Sequence, residues 1–513
     1  MQNLRRVTQA AFLLFFLFLF VQTEAKGNDE LGYPVRFFLD FDPLIFSTTI
    51  LSAHAVAKAF YLSVTMIAAT LLLGRVFCGW VCPLGTLNNL VASLKTRRSR
   101  PFGRDWYRLK YLILIFLLAS SLLTMQLVGI MDPLSLLIRS FSISVYPLFN
   151  YGTRAFFDGV YNSDVKGLVR VSESAYSLIK KTVLSFQQPF YKQNLFIGVI
   201  FLAILGLNLI EKRFWCRYLC PLGAFLGILS RSSLLKRSVS EGCNSCGVCA
   251  TVCQGNAMPD RKEKWRMSEC LYCWNCDDIC PQKAVGFGFV RRKTAGMDLG
   301  RRRVITSMLS GIVAVPFIRS NPFSKTAYSN PTLVRPPGSL SEKEFLKRCV
   351  KCGECMKVCI TNGLQPALFE AGLEGIWSPL LVPRMGYCEY RCTLCGQVCP
   401  TGAIKRLSLE EKARTKIGLA MIDKGRCLPY AHARPCIVCE EVCPTPKKAI
   451  WLENATVKDR AGQEIAVKQP KVDLELCIGC GICEAKCPVI DRPAIYVTSV
   501  GESRSKENQL LLS

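Results

Sequence analysis

Twenty-eight of the 513 residues are cysteine, and most of them fall into a regular ladder. Four groups read C-x2-C-x2-C-x3-C: Cys243, Cys246, Cys249 and Cys253; Cys270, Cys273, Cys276 and Cys280; Cys349, Cys352, Cys355 and Cys359; Cys477, Cys480, Cys483 and Cys487. Two more have a widened first gap: Cys388, Cys392, Cys395 and Cys399, then Cys427, Cys436, Cys439 and Cys443. Three close thiolates that wrap one [4Fe–4S] cubane, with a fourth reaching the neighbouring cluster, give this spacing in bacterial ferredoxins. A disulfide scaffold is short and secreted and lacks such a repeat. A zinc ribbon pairs C-x2-C units but does not explain a third cysteine two residues on and a fourth before Pro.

The ladder therefore implies single-electron chemistry on six clusters. Crossed ligation places Cys243, Cys246, Cys249 and Cys280 on one cluster and Cys270, Cys273, Cys276 and Cys253 on another. Gln254 and Ile360 stand where Pro usually follows the fourth cysteine, which removes no ligand. Covalent c-type haem is excluded by the absence of C-x-x-C-H. The two histidines, His54 and His432, leave bis-histidine haem in a membrane without support.

The six groups use 24 cysteines, so 28 − 24 = 4 remain: Cys78, Cys82, Cys216 and Cys220. They lie in Cys78-Gly-Trp-Val-Cys82-Pro-Leu-Gly85 and Cys216-Arg-Tyr-Leu-Cys220-Pro-Leu-Gly223. Residues four apart lie one helical turn apart, so each pair can present two thiols on one face. Together they offer the ligands of a seventh cubane; the alternative is metal-free buried or redox-active thiols.

The elements that position these cysteines begin with apolar runs at 9–22, 57–77, 111–130 and 194–210, each near the ~20 residues that a bilayer needs. Arg5 and Arg6 precede the first run, which reads as a retained anchor rather than a signal peptide cleaved near Ala25. Lys95, Arg97, Arg98, Arg100, Arg104, Arg108 and Lys110 face a single acid, Asp105, between the second and third runs, so that loop belongs in the cytoplasm. The N-terminus and the segment after the fourth run follow it there. The loop 131–192 then lies outside, with seven basic and four acidic residues. The net charge of +27 is explained by such loops and not by nucleic-acid binding.

Asp42-Pro-Leu44 recurs as Asp132-Pro-Leu134, so each repeat reads span, outer D-P-L, span, inner C-x3-C-P-L-G. Both units have the same orientation, a parallel repeat about an axis along the membrane normal. Asp42, His54 and Asp132 are the candidates for handling protons, since ionisable groups near lipid are functional by default. The structural alternative for each aspartate is an N-cap or turn before Pro.

Arg301, Arg302 and Arg303 precede a mildly apolar run to Ile318, and a Pro/Ser-rich linker covers 319–340. Twin arginines before such a run resemble a twin-arginine export signal; a basic linker with an ordinary buried helix is the alternative. The expected organisation is a membrane domain at 1–235, a two-cluster ferredoxin at 236–290, the arginine segment with a membrane helix and linker at 291–340, and a four-cluster polyferredoxin at 341–500. The fold class is an α-helical membrane domain, a tandem two-helix repeat, joined to α+β bacterial ferredoxin-like domains.

The two C-x3-C-P-L-G motifs and the paired ferredoxin motifs after the last run resemble the NapH, NosR and CcoG group of membrane iron–sulfur proteins. Arg335-Pro-Pro-Gly338, Phe345-Leu-Lys-Arg-Cys349-Val-Lys-Cys352 and Cys436-Ile-Val-Cys439-Glu-Glu-Val-Cys443-Pro444 resemble the NapG and MauM polyferredoxins. The resemblance implies a fusion of the two that oxidises quinol from the membrane pool and feeds a redox partner such as a periplasmic reductase or cytochrome. It leaves open a conduit from a cytoplasmic donor to quinone, or a metal-assembly factor of the CcoG type. The implied location is the bacterial inner membrane, multi-pass, with the C-terminal domain in the periplasm. It also implies nested pairing in the last domain: Cys487 with the Cys349 group, Cys359 with the Cys477 group, Cys443 with the Cys388 group and Cys399 with the Cys427 group. Sequential pairing is the alternative.

Overall fold

The computed structural model describes residues 1–24, 29–54, 61–94, 106–163, 166–257, 265–289, 299–319, 330–458 and 462–509. The basic stretch 95–105, Ala25 and linker residues 320–329 lie outside them. The chain forms two compact units. The first comprises Met1–Gln22, Tyr33–Phe141 and Leu195–Ile318; the second comprises Thr23–Gly32, Ser142–Asn194 and Arg319–Ser513.

Helices dominate the first unit, and four of them start in the same way. Asp42, Cys82, Asp132 and Cys220 are each an extended N-cap residue followed by Pro at the first helical position. Pro forces the preceding residue out of the helical region and costs no hydrogen bond at that position. The D-P-L and C-P-L-G motifs are therefore one device, a helix start. Helices Pro43–Ala53, Pro83–Ser93, Pro133–Ser140 and Pro221–Ser230 follow from it.

The apolar runs fold less uniformly than expected. Gln2–Gln22 is, among the described residues, the one helix long and apolar enough to cross a membrane by itself. The run expected at 57–77 contains helix Tyr61–Leu73 and breaks at Gly74, whose φ is +76°. The run expected at 111–130 is helix Leu109–Leu122, closed by Thr124 at φ +64°. The fourth run is helix Asn194–Ile210, as expected. The arginine-led run forms helix Arg301–Arg319 and packs on Leu109–Leu122: Ser307 Oγ donates to Leu112 O at 2.6 Å, and a Cβ on Gly311 would lie 2.7 Å from Phe116 O. A two-stranded antiparallel sheet, Leu235–Val239 with Val285–Phe289, frames the first ferredoxin module.

In the second unit, short antiparallel pairs frame the cysteine loops: Leu364–Pro366 with Pro379–Leu381, and Leu419–Ile422 with Ile495–Thr498. A longer hairpin joins Ile450–Lys458 to Glu464–Val472. The third cysteine of each group sits on a one-turn helix: Glu354–Lys357, Leu394–Gln397, Val438–Glu441 or Ile482–Lys486. Thr23–Gly32 and Ser142–Asn194 pack on the first two groups. Lys357 Nζ donates to Thr23 O at 2.7 Å, Thr393 N to Asp29 Oδ1 at 2.7 Å, and Tyr191 Oη to Met356 O at 3.0 Å.

Candidate metal centres

Among the described residues, no three His, Cys, Asp or Glu side chains converge tightly enough to hold one metal ion. Four or five cysteines instead line each of four open pockets. An all-cysteine donor set suits an iron–sulfur cluster. Burial pushes the Cys276, Cys392 and Cys439 thiols up to about 12 and Cys427 to about 11. Desolvation thus disfavours the bare thiolates at these positions, and metal binding would draw the protons off.

The ladder pairs sequentially, which corrects the nested scheme. Cys359 joins Cys388, Cys392 and Cys395. Cys399 is the added neighbour of Cys349, Cys352 and Cys355. Cys487 joins Cys427, Cys436 and Cys439, while Cys443 joins Cys477, Cys480 and Cys483. The physical reason is the strand pairing: Leu419–Ile422 bonds Ile495–Thr498 and closes the third and fourth groups into one module. The two modules touch where Cys388 N donates to Cys480 O at 2.8 Å. Several of the fourth cysteines accept a backbone hydrogen bond, whereas Cys359 and Cys443 meet the hydroxyls of Thr361 and Thr445. Backbone N–H groups reach Cys253 Sγ from Ala257 at 3.2 Å, Cys399 from Ile404 at 3.4 Å and Cys487 from Ala494 at 3.4 Å. Such bonds to sulfur are one way a protein tunes a cluster's potential.

In the first unit, Cys253 lies with Cys270, Cys273 and Cys276, as crossed ligation requires. Cys243 is exposed, and Cys246 and Cys249 are half-buried. Cys280 Sγ accepts from Ala284 N at 3.4 Å, and this bond lowers its pKa.

Cys78, Cys82, Cys216 and Cys220 converge. Their local structure differs from the expected shared helical face. The residues Phe77–Val81 and Trp215–Leu219 are π-helical turns that end at Cys82 and Cys220. Those two thiols then cap the next helices, accepting from Gly85 N at 3.4 Å and Gly223 N at 3.2 Å. Each C-x3-C loop also grips the ferredoxin module. Arg217 Nη2 donates to Cys253 O at 3.0 Å and its Nε to Gln254 O at 2.8 Å. Gln254, in the usual Pro position, accepts from Arg5 Nη1 at 2.9 Å.

Asp42 and Asp132 both take the N-cap role. Asp42 Oδ1 accepts from Leu44 N at 2.8 Å and Asp132 Oδ2 from Ser135 N at 2.8 Å. Among the described residues the other oxygens, Asp42 Oδ2 and Asp132 Oδ1, have no hydrogen-bond partner, and burial pushes both carboxyls above the usual carboxylate range. His54 is exposed and ends helix Pro43–Ala53 in a left-handed turn, away from this pair's caps.

Sequence reasoning missed Arg75, Arg213, Lys110, Tyr111 and Glu269, all buried. Glu269 pairs with Lys110 and accepts from Tyr111 Oη at 2.6 Å. Arg75 and Arg213 were findable, because each stands three residues before the first cysteine of its repeat.

A 4Fe-4S binding domain family matches residues 59–101 and 193–240, the two C-x3-C-P-L-G regions, and another 4Fe-4S binding domain family matches 470–489. The ferredoxin-type protein NapG of Escherichia coli is 35% identical over 209 residues, which span 40% of this chain and 88% of that protein. The chain belongs to the NapG and MauM family of ferredoxin-type proteins. The methylamine utilization ferredoxin-type protein MauM of Methylorubrum extorquens is 34% identical over 193 residues, covering 37% of this chain and 80% of that one. An uncharacterized protein of Methanocaldococcus jannaschii is 25% identical over 298 residues, 57% of this chain and 98% of its own. No solved structure matches. This NapG/MauM-type chain is thus an iron–sulfur polyferredoxin for electron transfer.

Proposed function

We propose that the chain is a natural fusion of a NapH-like membrane protein with a NapG-like polyferredoxin, that it oxidises quinol at its helical unit, and that it passes electrons to a redox protein outside the membrane. The observation that carries this reading is the composition of the second unit. The two segments expected outside, Thr23–Gly32 and Ser142–Asn194, fold with the four-group domain. Helix Arg301–Arg319 then carries the chain out of the first unit, in keeping with the twin-arginine resemblance. The bound clusters supply one-electron transfer, which divides the electron pair of a two-electron donor. The protein's part is to hold them in series: the C-x3-C site beside the Cys253 cage in one unit, and four cages in sequence in the other.

A second reading, a conduit from a cytoplasmic donor to quinone, draws on the exposed Cys243 group, an open end of the series. Anaerobic membranes treated with a quinol analogue test both. Cluster EPR signals that grow with quinol support the first, whereas growth only with a soluble low-potential donor overturns it. A reporter fused after Ser513 should be active outside the membrane; activity only in the cytoplasm contradicts the proposed side.

A further inference from the structure

Arg75 and Arg213 are equivalent in the two repeats and are each 1% exposed. Each reaches across to the other repeat. Arg213 Nη1 donates to Cys78 O at 2.9 Å and lies 3.6 Å from where a Cβ on Gly85 would stand. Arg75 Nη2 lies 2.8 Å from where a Cβ on Gly223 would stand, and that same point is 3.4 Å from Cys220 Sγ. The glycines of C-P-L-G are therefore spaces for guanidinium groups.

The arginines are under-partnered. Arg75 Nη1 donates to Ser268 O at 2.7 Å and faces Glu269, but Lys110 already pairs with that carboxylate. Among the described residues, Nε and Nη2 of both arginines are buried with no hydrogen-bond acceptor. Two cations, Arg75 and Lys110, thus share one acid, Glu269. Leaving a buried charge uncompensated is strongly unfavourable, so an anion belongs at this place. Cysteines are the neighbouring groups: Arg75 Nη2 and Cys220 Sγ flank the same Gly223 space, and Arg213 is bonded at Cys78 and packed on the Cys82-Pro-Leu-Gly85 turn.

We propose that Arg75 and Arg213 are the counter-charges of an iron–sulfur cluster held by Cys78, Cys82, Cys216 and Cys220, and that they set its reduction potential. The proposal rests on the reading of those four cysteines as cluster ligands. A cluster on four thiolates is anionic and gains one more negative charge on reduction, so net charge nearby tunes its potential. Two fixed cations favour the reduced form and raise the potential, which suits a site that accepts electrons from a weak reductant such as quinol. Arginine serves here because it keeps its charge when buried and presents a rigid fork of donors. Both act as positioning residues: they tune the cluster without bonding to iron.

The test uses the full-length protein, purified anaerobically, with iron and sulfide counts and an EPR-monitored redox titration. Cys82→Ala and Cys220→Ala come first; if neither removes iron, the cluster reading itself fails. If iron is lost there, Arg75→Gln and Arg213→Gln decide the role of the arginines. At a fixed potential near the midpoint, each should lower the reduced-to-oxidised ratio of this site at least tenfold, 59 mV for one electron. The ladder clusters should not move. An unmoved potential with iron retained overturns the proposal. Where a Gln variant loses the cluster, the Lys variant, which keeps the charge, should restore iron, and loss in both overturns the counter-charge role.

Discussion

Trp80 Nε1 donates to Tyr272 O at 2.8 Å and so ties the first C-x3-C loop to a ferredoxin loop 192 residues away. Arg217 does the same from the second repeat, at Cys253 O. The two motifs thus clasp the Cys253, Cys270, Cys273 and Cys276 cage from two positions. Trp80→Phe removes one bond and should destabilise this module by about 1 kcal/mol. The measurement is the temperature at which that cluster's EPR signal disappears, and an unchanged temperature rules out the clasp.

Sequential pairing makes a sharp prediction. Cys487→Ala should alter the same cluster as Cys427→Ala and leave the Cys349 cluster as it is. Nested pairing predicts the reverse. Mössbauer or EPR comparison of the single and double variants distinguishes them, because two ligands of one cluster give non-additive loss.

Arg5 is buried and bonded to Gln254 and Asn275, the latter at 3.2 Å through Nη2. Bonds to a charged group contribute about 1.5–3 kcal/mol each. Arg5→Ala should therefore weaken the first ferredoxin module, and N-terminal sequencing of the mature protein should find the helix Gln2–Gln22 retained. A mature protein that starts after Gln22 would falsify the packing role.

The Asp42–Asp132 pair should hold a protonated carboxyl at neutral pH. Infrared difference spectra should show a protonated C=O band that Asp42→Asn abolishes. Asp42→Asn keeps a cap and a donor for Asp132, whereas Asp42→Ala loses the cap at a cost of about 1 kcal/mol. Equal stability of the two variants would show that the cap carries nothing.

Much of the chemistry was legible in one dimension. Metal-ligand spacing is local, so the six groups, the crossed use of Cys253 and the four leftover cysteines follow from residue positions alone. The Asp-Pro motifs were legible as caps, since Pro restricts its predecessor whatever surrounds it; the Cys-Pro motifs, read as one helical turn, are instead helix starts. Span lengths were less so: hydropathy does not register Gly74 or Thr124, whose left-handed φ values cut the runs.

What only tertiary structure decided is which distant groups meet. The choice between nested and sequential cages depended on Leu419–Ile422 finding Ile495–Thr498, a long-range pairing that no local pattern encodes. The gathering of Cys78, Cys82, Cys216 and Cys220 around two crossing arginines likewise needed the repeats to pack. Ligand identity follows from side-chain chemistry and is written in order along the chain. Ligand partnership depends on burial and backbone pairing between segments tens to hundreds of residues apart.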